Sequence, residues 1–223
     1  MIRDKKGEIV STHAEVLERW KEHFQQLLNN EGEEEEIEEV RNEEVVVEEE
    51  IERPDKIDVR MAIEALKNGK AAGVDNIPAE VFKVGGKHRV DIIYTLITLI
   101  WEKEKMPKEW GTARICKIYK KGDRLNCQNY RGISLLCTAY KIFTYILRRE
   151  LEPYYEEIMS EYQAGFRRGR STIDQIHTVK IISEKFWEYN LNLYHLFIDF
   201  KTAYDSVSRT GLYRILQQQG IPS

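Results

Sequence analysis

Tyr194-His195-Leu196-Phe197-Ile198-Asp199-Phe200-Lys201-Thr202-Ala203-Tyr204-Asp205-Ser206-Val207 decides how this chain is read. Tyr194 to Ile198 is an aromatic and apolar run of strand length, so it reads as a buried strand that delivers a carboxylate, Asp199, at its end. A carboxylate in such surroundings costs several kcal/mol unless a cation or hydrogen-bond donors offset it. Two readings of Asp199 stand side by side. With the backbone carbonyl of Phe200 it offers oxygen ligands to magnesium, which takes one or two carboxylates and completes its shell with water or phosphate. Alternatively, it caps the turn after the strand. Asp205 reads as structural, holding that turn or the following helix.

Working outward, the chain has 223 residues, enough to bury a core, and carries a net charge of −4 that hides a split. Residues 1–60 hold 9 Lys and Arg against 20 Asp and Glu, a net of −11, and the remainder holds 25 against 18, a net of +7. A basic body behind an acidic arm suits a polyanion-binding domain, although a surplus of this size also occurs on ordinary surfaces. The acidic run Glu31 to Glu52 reads as solvated helix or disorder without chemistry. The longest apolar stretch, Val90 to Trp101, contains Asp91 and is too short for a bilayer span. Met1 is followed by charged residues rather than an apolar leader segment, and the 3 cysteines form no C-x-x-C pair. A cytoplasmic or nuclear location away from any membrane is the expectation.

The elements follow from periodicity. His13 to Leu28 places Val16, Trp20, Phe24 and Leu27 on one helical face, with Ser11, Thr12 and Glu15 as capping residues. Helices are expected at Asp58–Asn68, around Ala79–Lys83, at Val90–Lys105, Thr138–Tyr154, Thr172–Tyr189 and Arg209–Gln219. The fifth of these carries Arg148 and Arg149 outward, and Ser171 with Asp174 reads as a capping box for the sixth. Thr112–Tyr119 and Gly132–Leu136 read as strands of a hairpin around the basic turn Lys120-Lys121-Gly122-Asp123. This order gives an α+β fold, helix-rich, in two parts: residues 1–56 as a helical and acidic linker arm, and residues 57–223 as the main domain.

Three groups outside Asp199 could do chemistry. Lys120, Lys121 and Arg131 on the hairpin could bind a triphosphate, arginine by its forked contact, or could simply be solvated. Gln163-Ala164-Gly165-Phe166-Arg167-Arg168-Gly169-Arg170 gathers three arginines and an aromatic in a loop suited to tracking a nucleic-acid backbone, with a solvated loop as the alternative. Tyr204 could lie under the sugar of a nucleotide or serve as an ordinary core aromatic. The 5 histidines show no metal-ligand spacing, and no G-x-x-x-x-G-K-[ST] loop supports an ATPase.

In combination these segments resemble the reverse transcriptase of non-LTR (LINE-type) retrotransposons. The resemblance runs in order through Lys70-Ala71-Ala72-Gly73-Val74-Asp75-Asn76-Ile77-Pro78-Ala79-Glu80, the hairpin from Trp110 to Leu136, Gln163 to Gln175, and Phe197 to Val207. Trp20-Lys21-Glu22-His23-Phe24 resembles the linker that follows an upstream endonuclease in such polyproteins. The resemblance implies fingers and the first part of a palm, with RNA template and DNA primer as partners. It further implies Asp199, with Phe200, as catalytic magnesium ligands and Tyr204 as the sugar-discriminating aromatic. Arg131 and Lys121 would contact the triphosphate; Arg167, Arg168, Gly169 and Arg170 would lie near template. The family's aromatic-x-Asp-Asp strand is absent from these residues. The expectation is therefore a fragment, inactive by itself, of an RNA-directed DNA polymerase. The competing expectation is a non-catalytic nucleic-acid-binding or interaction protein built on the same fold.

Overall fold

The structure is a computed structural model that describes residues 1–28, 52–200, 203–205 and 207–221. The acidic run assigned from sequence to solvated helix or disorder lies, except for Glu52, outside the described residues. The elements run β1 (Ile2–Arg3), β2 (Ile9–Val10), α1 (His13–Leu28), α2 (Lys56–Ala65), α3 (Ala79–Val84), α4 (Gly86–Lys103), β3 (Arg114–Tyr119), β4 (Tyr130–Leu135), α5 (Thr138–Ile158), α6 (Thr172–Glu188) and α7 (Arg209–Gln218). The result is a helix-rich mixed fold with two small antiparallel hairpins, β1–β2 and β3–β4. No helix among the described residues is long and apolar enough to cross a membrane.

The helices start where their caps allow. Thr12 Oγ1 accepts the Glu15 N–H and donates to the Glu15 carboxylate at 2.5 Å, closing the expected box at the head of α1. Asp55 does the same for α2, its carboxylate accepting the Ile57 and Asp58 N–H groups while Asp58 accepts from Asp55. At α6, Ser171 Oγ accepts the Ile173 N–H, so the hydroxyl caps the helix through its second residue rather than through the expected pairing with Asp174.

One core joins α2, α3, α4 and α5 through Val59, Ile63, Phe82, Ile97, Ile142 and Ile146, with Trp110 and Cys137 closing it. A second, smaller core contains Ile2, Trp20, Phe24 and Cys127, with Val10, Val16 and Tyr130 packed against it. Sequence reading missed the β1–β2 hairpin because two-residue strands carry no periodicity.

Tyr194 to Ile198 does not form the expected buried strand. Residues 191–200 have no regular structure, and Leu196, Phe197, Ile198 and Phe200 are all exposed. A strand satisfies its backbone only through a hydrogen-bonded neighbour. Among the described residues β1 pairs with β2 and β3 with β4, and no strand lies beside this segment. The apolar run has the composition of a strand but, among the described residues, no partner that would make it one.

Candidate functional site

The β3–β4 hairpin is in the register Ile118 to Arg131 and Tyr119 to Tyr130, and the Lys120 N–H donates to the Asn129 carbonyl at 2.8 Å to close the loop. The loop is fastened from within. Tyr119 Oη donates to the Gly122 carbonyl at 2.6 Å, Asn129 Nδ2 to the Asp123 carbonyl at 2.8 Å, and Tyr130 Oη to the Arg124 carbonyl at 2.8 Å. Gly122 takes φ +90, a left-handed value that makes glycine the fitting residue. With the turn's polar groups engaged internally, Lys120, Lys121 and Arg131 stand exposed and form no ion pair among the described residues. The geometry leaves three cations available at the open end of a tied loop.

The arginine loop sorts its cations differently. Arg167 turns inward, its side chain only 9% exposed: Nε and Nη2 each reach Glu156 Oε2 at 2.9 Å, and Nη1 donates to the Ser160 carbonyl at 2.8 Å. Its guanidinium ties the loop to the last turns of α5. Arg168 and Arg170 point to solvent. Gly169 has φ +72 and open space around it, so its role here is conformational. Phe166 also takes a left-handed φ, +61, and is 94% exposed.

Arg148 of α5 joins this group. Together with Arg167, Arg168 and Arg170 it lines an open concavity of about 480 Å3, which ends at Ser171 and Thr172 on the head of α6. The helix N-terminus adds partial positive charge to a surface already rich in guanidinium groups. Sequence reading placed Arg148 outward on its helix but gave no sign of which loop it would meet. A second groove, about 760 Å3 and largely apolar, runs between α1 and β3 past Trp20, Phe24 and Ile115. Among the described residues no acid or histidine lines it.

The structure brings the arginine loop and the Asp199 segment into contact. The Phe166 and Tyr204 rings meet edge to face with centroids 6.2 Å apart. Tyr204 is exposed rather than part of a core. Asp199 and Phe200 are likewise exposed. Among the described residues no three His, Cys, Asp or Glu side chains gather closely enough to hold an ion. Asp199 belongs to no such group among the described residues, and the Phe200 side chain lies in solvent.

Residues 118–223 match the family described as reverse transcriptase (RNA-dependent DNA polymerase). That segment opens inside β3 and includes Lys121, Arg131, the arginine loop and Asp199. The chain is 30% identical over 155 residues to a probable RNA-directed DNA polymerase from transposon BS of Drosophila melanogaster, covering 68% of this chain and 17% of that protein. It is 28% identical over 166 residues to a probable RNA-directed DNA polymerase from transposon X-element of the same species, covering 72% and 18%. A third relative, the RNA-directed DNA polymerase from mobile element jockey, is 25% identical over 158 residues, covering 70% and 17%. The chain thus carries a reverse-transcriptase segment and resembles the polymerases of non-LTR transposons, as its motifs imply. It spans less than a fifth of the length of these relatives.

Proposed function

We propose that this chain is the nucleic-acid-gripping and triphosphate-side part of a transposon RNA-directed DNA polymerase, its fingers and the beginning of its palm. The observation that carries the reading is the concavity of four arginines at the head of α6, inside the family-matched segment. Arg148, Arg168 and Arg170 contact the phosphates of an RNA template or DNA primer, and Arg167 holds the loop in place. Lys121 and Arg131 take the triphosphate, and Tyr204 meets the sugar. Asp199 and the Phe200 carbonyl contribute to a magnesium site whose remaining ligands these residues do not supply together. A two-metal transfer needs more carboxylates than one. The 223 residues by themselves are therefore expected to bind nucleic acid without extending a primer. That no group of three such ligands gathers among the described residues equally favours a non-catalytic binding protein of the same descent.

Fluorescence anisotropy of a labelled RNA oligomer against salt concentration tests this. Binding should be weak and sequence-independent. Replacing Arg148, Arg168 and Arg170 by alanine should flatten the salt dependence by up to about one unit of slope per lost phosphate contact. An unchanged slope would overturn the role given to the concavity. Incorporation of nucleotide that vanishes in Asp199→Ala would overturn the expected inactivity and decide against the non-catalytic reading.

A further inference from the structure

Residues 2–28 hold none of the groups to which sequence reading gave chemistry, yet they grip the hairpin that carries Lys121 and Arg131. The Arg3 N–H donates to the Leu125 carbonyl at 2.8 Å, and Arg3 Nε pairs with Asp123 Oδ2 at 3.2 Å. Arg19 Nε in turn donates to the Arg3 carbonyl at 3.2 Å, fixing Arg3 from α1. The Trp20 ring stands edge-on to Tyr130 with centroids 4.9 Å apart, and Lys117 Nζ lies 4.4 Å from the centre of the Trp20 ring. Phe24 lies against Gly132 so closely that a Cβ there would come within 2.6 Å of its ring. Both sequence neighbours of Arg131 are thus seated on α1, and the loop just after Lys121 is held by Arg3.

A two-stranded hairpin alone is marginally stable in water, and all six residues of β3 are exposed. The α1 face, with Trp20 and Phe24 buried against Tyr130, supplies the apolar layer the hairpin lacks. A mobile hairpin must be ordered at the moment it binds, and that cost is subtracted from affinity; a preordered one avoids it.

From these contacts we infer that the N-terminal hairpin and α1 form the positioning element of the phosphate-binding hairpin, acting through Arg3 and Trp20. The inference rests on the proposed binding of a triphosphate by Lys121 and Arg131. Asp123 distinguishes positioning from simple charge. It lies beside the lysines, so if only charge mattered, removing its carboxylate would strengthen the binding of an anion. If the carboxylate anchors the loop, through Arg3 and through the Leu125 N–H that its Oδ1 accepts at 2.9 Å, the same change weakens binding.

Isothermal titration of the whole 223-residue chain with inorganic tripolyphosphate at low salt tests it. Arg3→Ala, Asp123→Ala and Trp20→Phe should each weaken binding by about threefold to tenfold, the scale of one or two reordered side chains. In the same variants the Lys120 amide should exchange with solvent faster while amides of α4 keep their protection, which separates loosening of the hairpin from failure to fold. Unchanged or tighter binding by Asp123→Ala, with Arg131→Ala clearly weaker than the parent, would overturn the inference alone. No binding by the parent, or none lost in Arg131→Ala, would overturn the triphosphate reading and the inference with it.

Discussion

Gly73 is buried where the loop after α2 crosses the start of α5. A Cβ on it would come within 2.5 Å of the Cys137 nitrogen and 2.6 Å of the Leu136 carbonyl carbon. Both are backbone atoms that no rotamer change can move, and Thr138 Oγ1 locks the crossing by donating to the Ile77 carbonyl at 2.7 Å. Gly73→Ala should therefore destabilise the chain by about 1–3 kcal/mol, as overpacking does in a close-packed interior. The check is a lower urea midpoint at unchanged slope. The motif around Gly73 was visible in the sequence, but the reason for its glycine was not, since the backbone it meets lies more than sixty residues further along. Arg167 makes the same point in the site. Three arginines within four residues look equivalent when written out, and what sets one apart is Glu156, on the preceding helix. Their shared location was legible; the division between a tying residue and exposed cations was not.

Among the elements, α5 departs most from local preference, because Pro153 sits inside it and the helix nonetheless continues to Ile158. Proline has no N–H to donate to the preceding turn, and its ring crowds the carbonyl four residues back. Pro153 is exposed, so no buried packing compensates. Pro153→Ala should stabilise the chain by up to about 3 kcal/mol, the helix-interior cost of proline relative to alanine. A higher thermal midpoint with unchanged near-ultraviolet dichroism would bear this out; an unchanged or lower midpoint would show that Pro153 serves the contact between α5 and the arginine loop. Helix positions were largely legible because capping residues and apolar spacing act within a few residues of one another. The last turn of α5 was missed for the reason just given. The β3–β4 hairpin was legible from its turn chemistry, whereas Tyr194 to Ile198 was misjudged because composition shows that a segment could pair but not whether a partner lies beside it. The same reason leaves α6, a capped helix, with no buried residue.

At the scale of the molecule, the two cores differ in how they meet acid. In the smaller one His23 stands half-buried beside Trp20 and Phe24, at ring distances of 6.1 and 5.1 Å. Burial, and secondarily the Arg19 charge, lowers its pKa from the ordinary 6.5. A histidine whose folded pKa is lowered binds fewer protons folded than unfolded, so stability rises with pH across that window. Its contribution is complete above 6.5 and is lost as the pH falls from there through the folded value. The larger core is bordered by carboxylates that titrate lower still. Asp55 is held down chiefly by the Asp58 backbone N–H, Glu80 by the Gly69 N–H, and Asp91 by Lys56 at 2.6 Å. Their contribution is complete above the ordinary carboxylate values of 3.8 and 4.5 and is lost only as the pH falls through the lowered folded ones. Acid should therefore loosen the molecule in two stages, with the N-terminal hairpin, α1 and the β3–β4 loop giving way before the α2–α5 body. Amide exchange compared at pH 7 and at about pH 5.5, below the usual histidine range, should show reduced protection at Lys120 and around Trp20 with α4 unaffected. His23→Gln should remove that difference while leaving the carboxylate stage in place. A uniform loss of protection across both cores would show instead that the chain unfolds as one cooperative unit, with the hairpin and the helical body coupled more tightly than their separate cores imply.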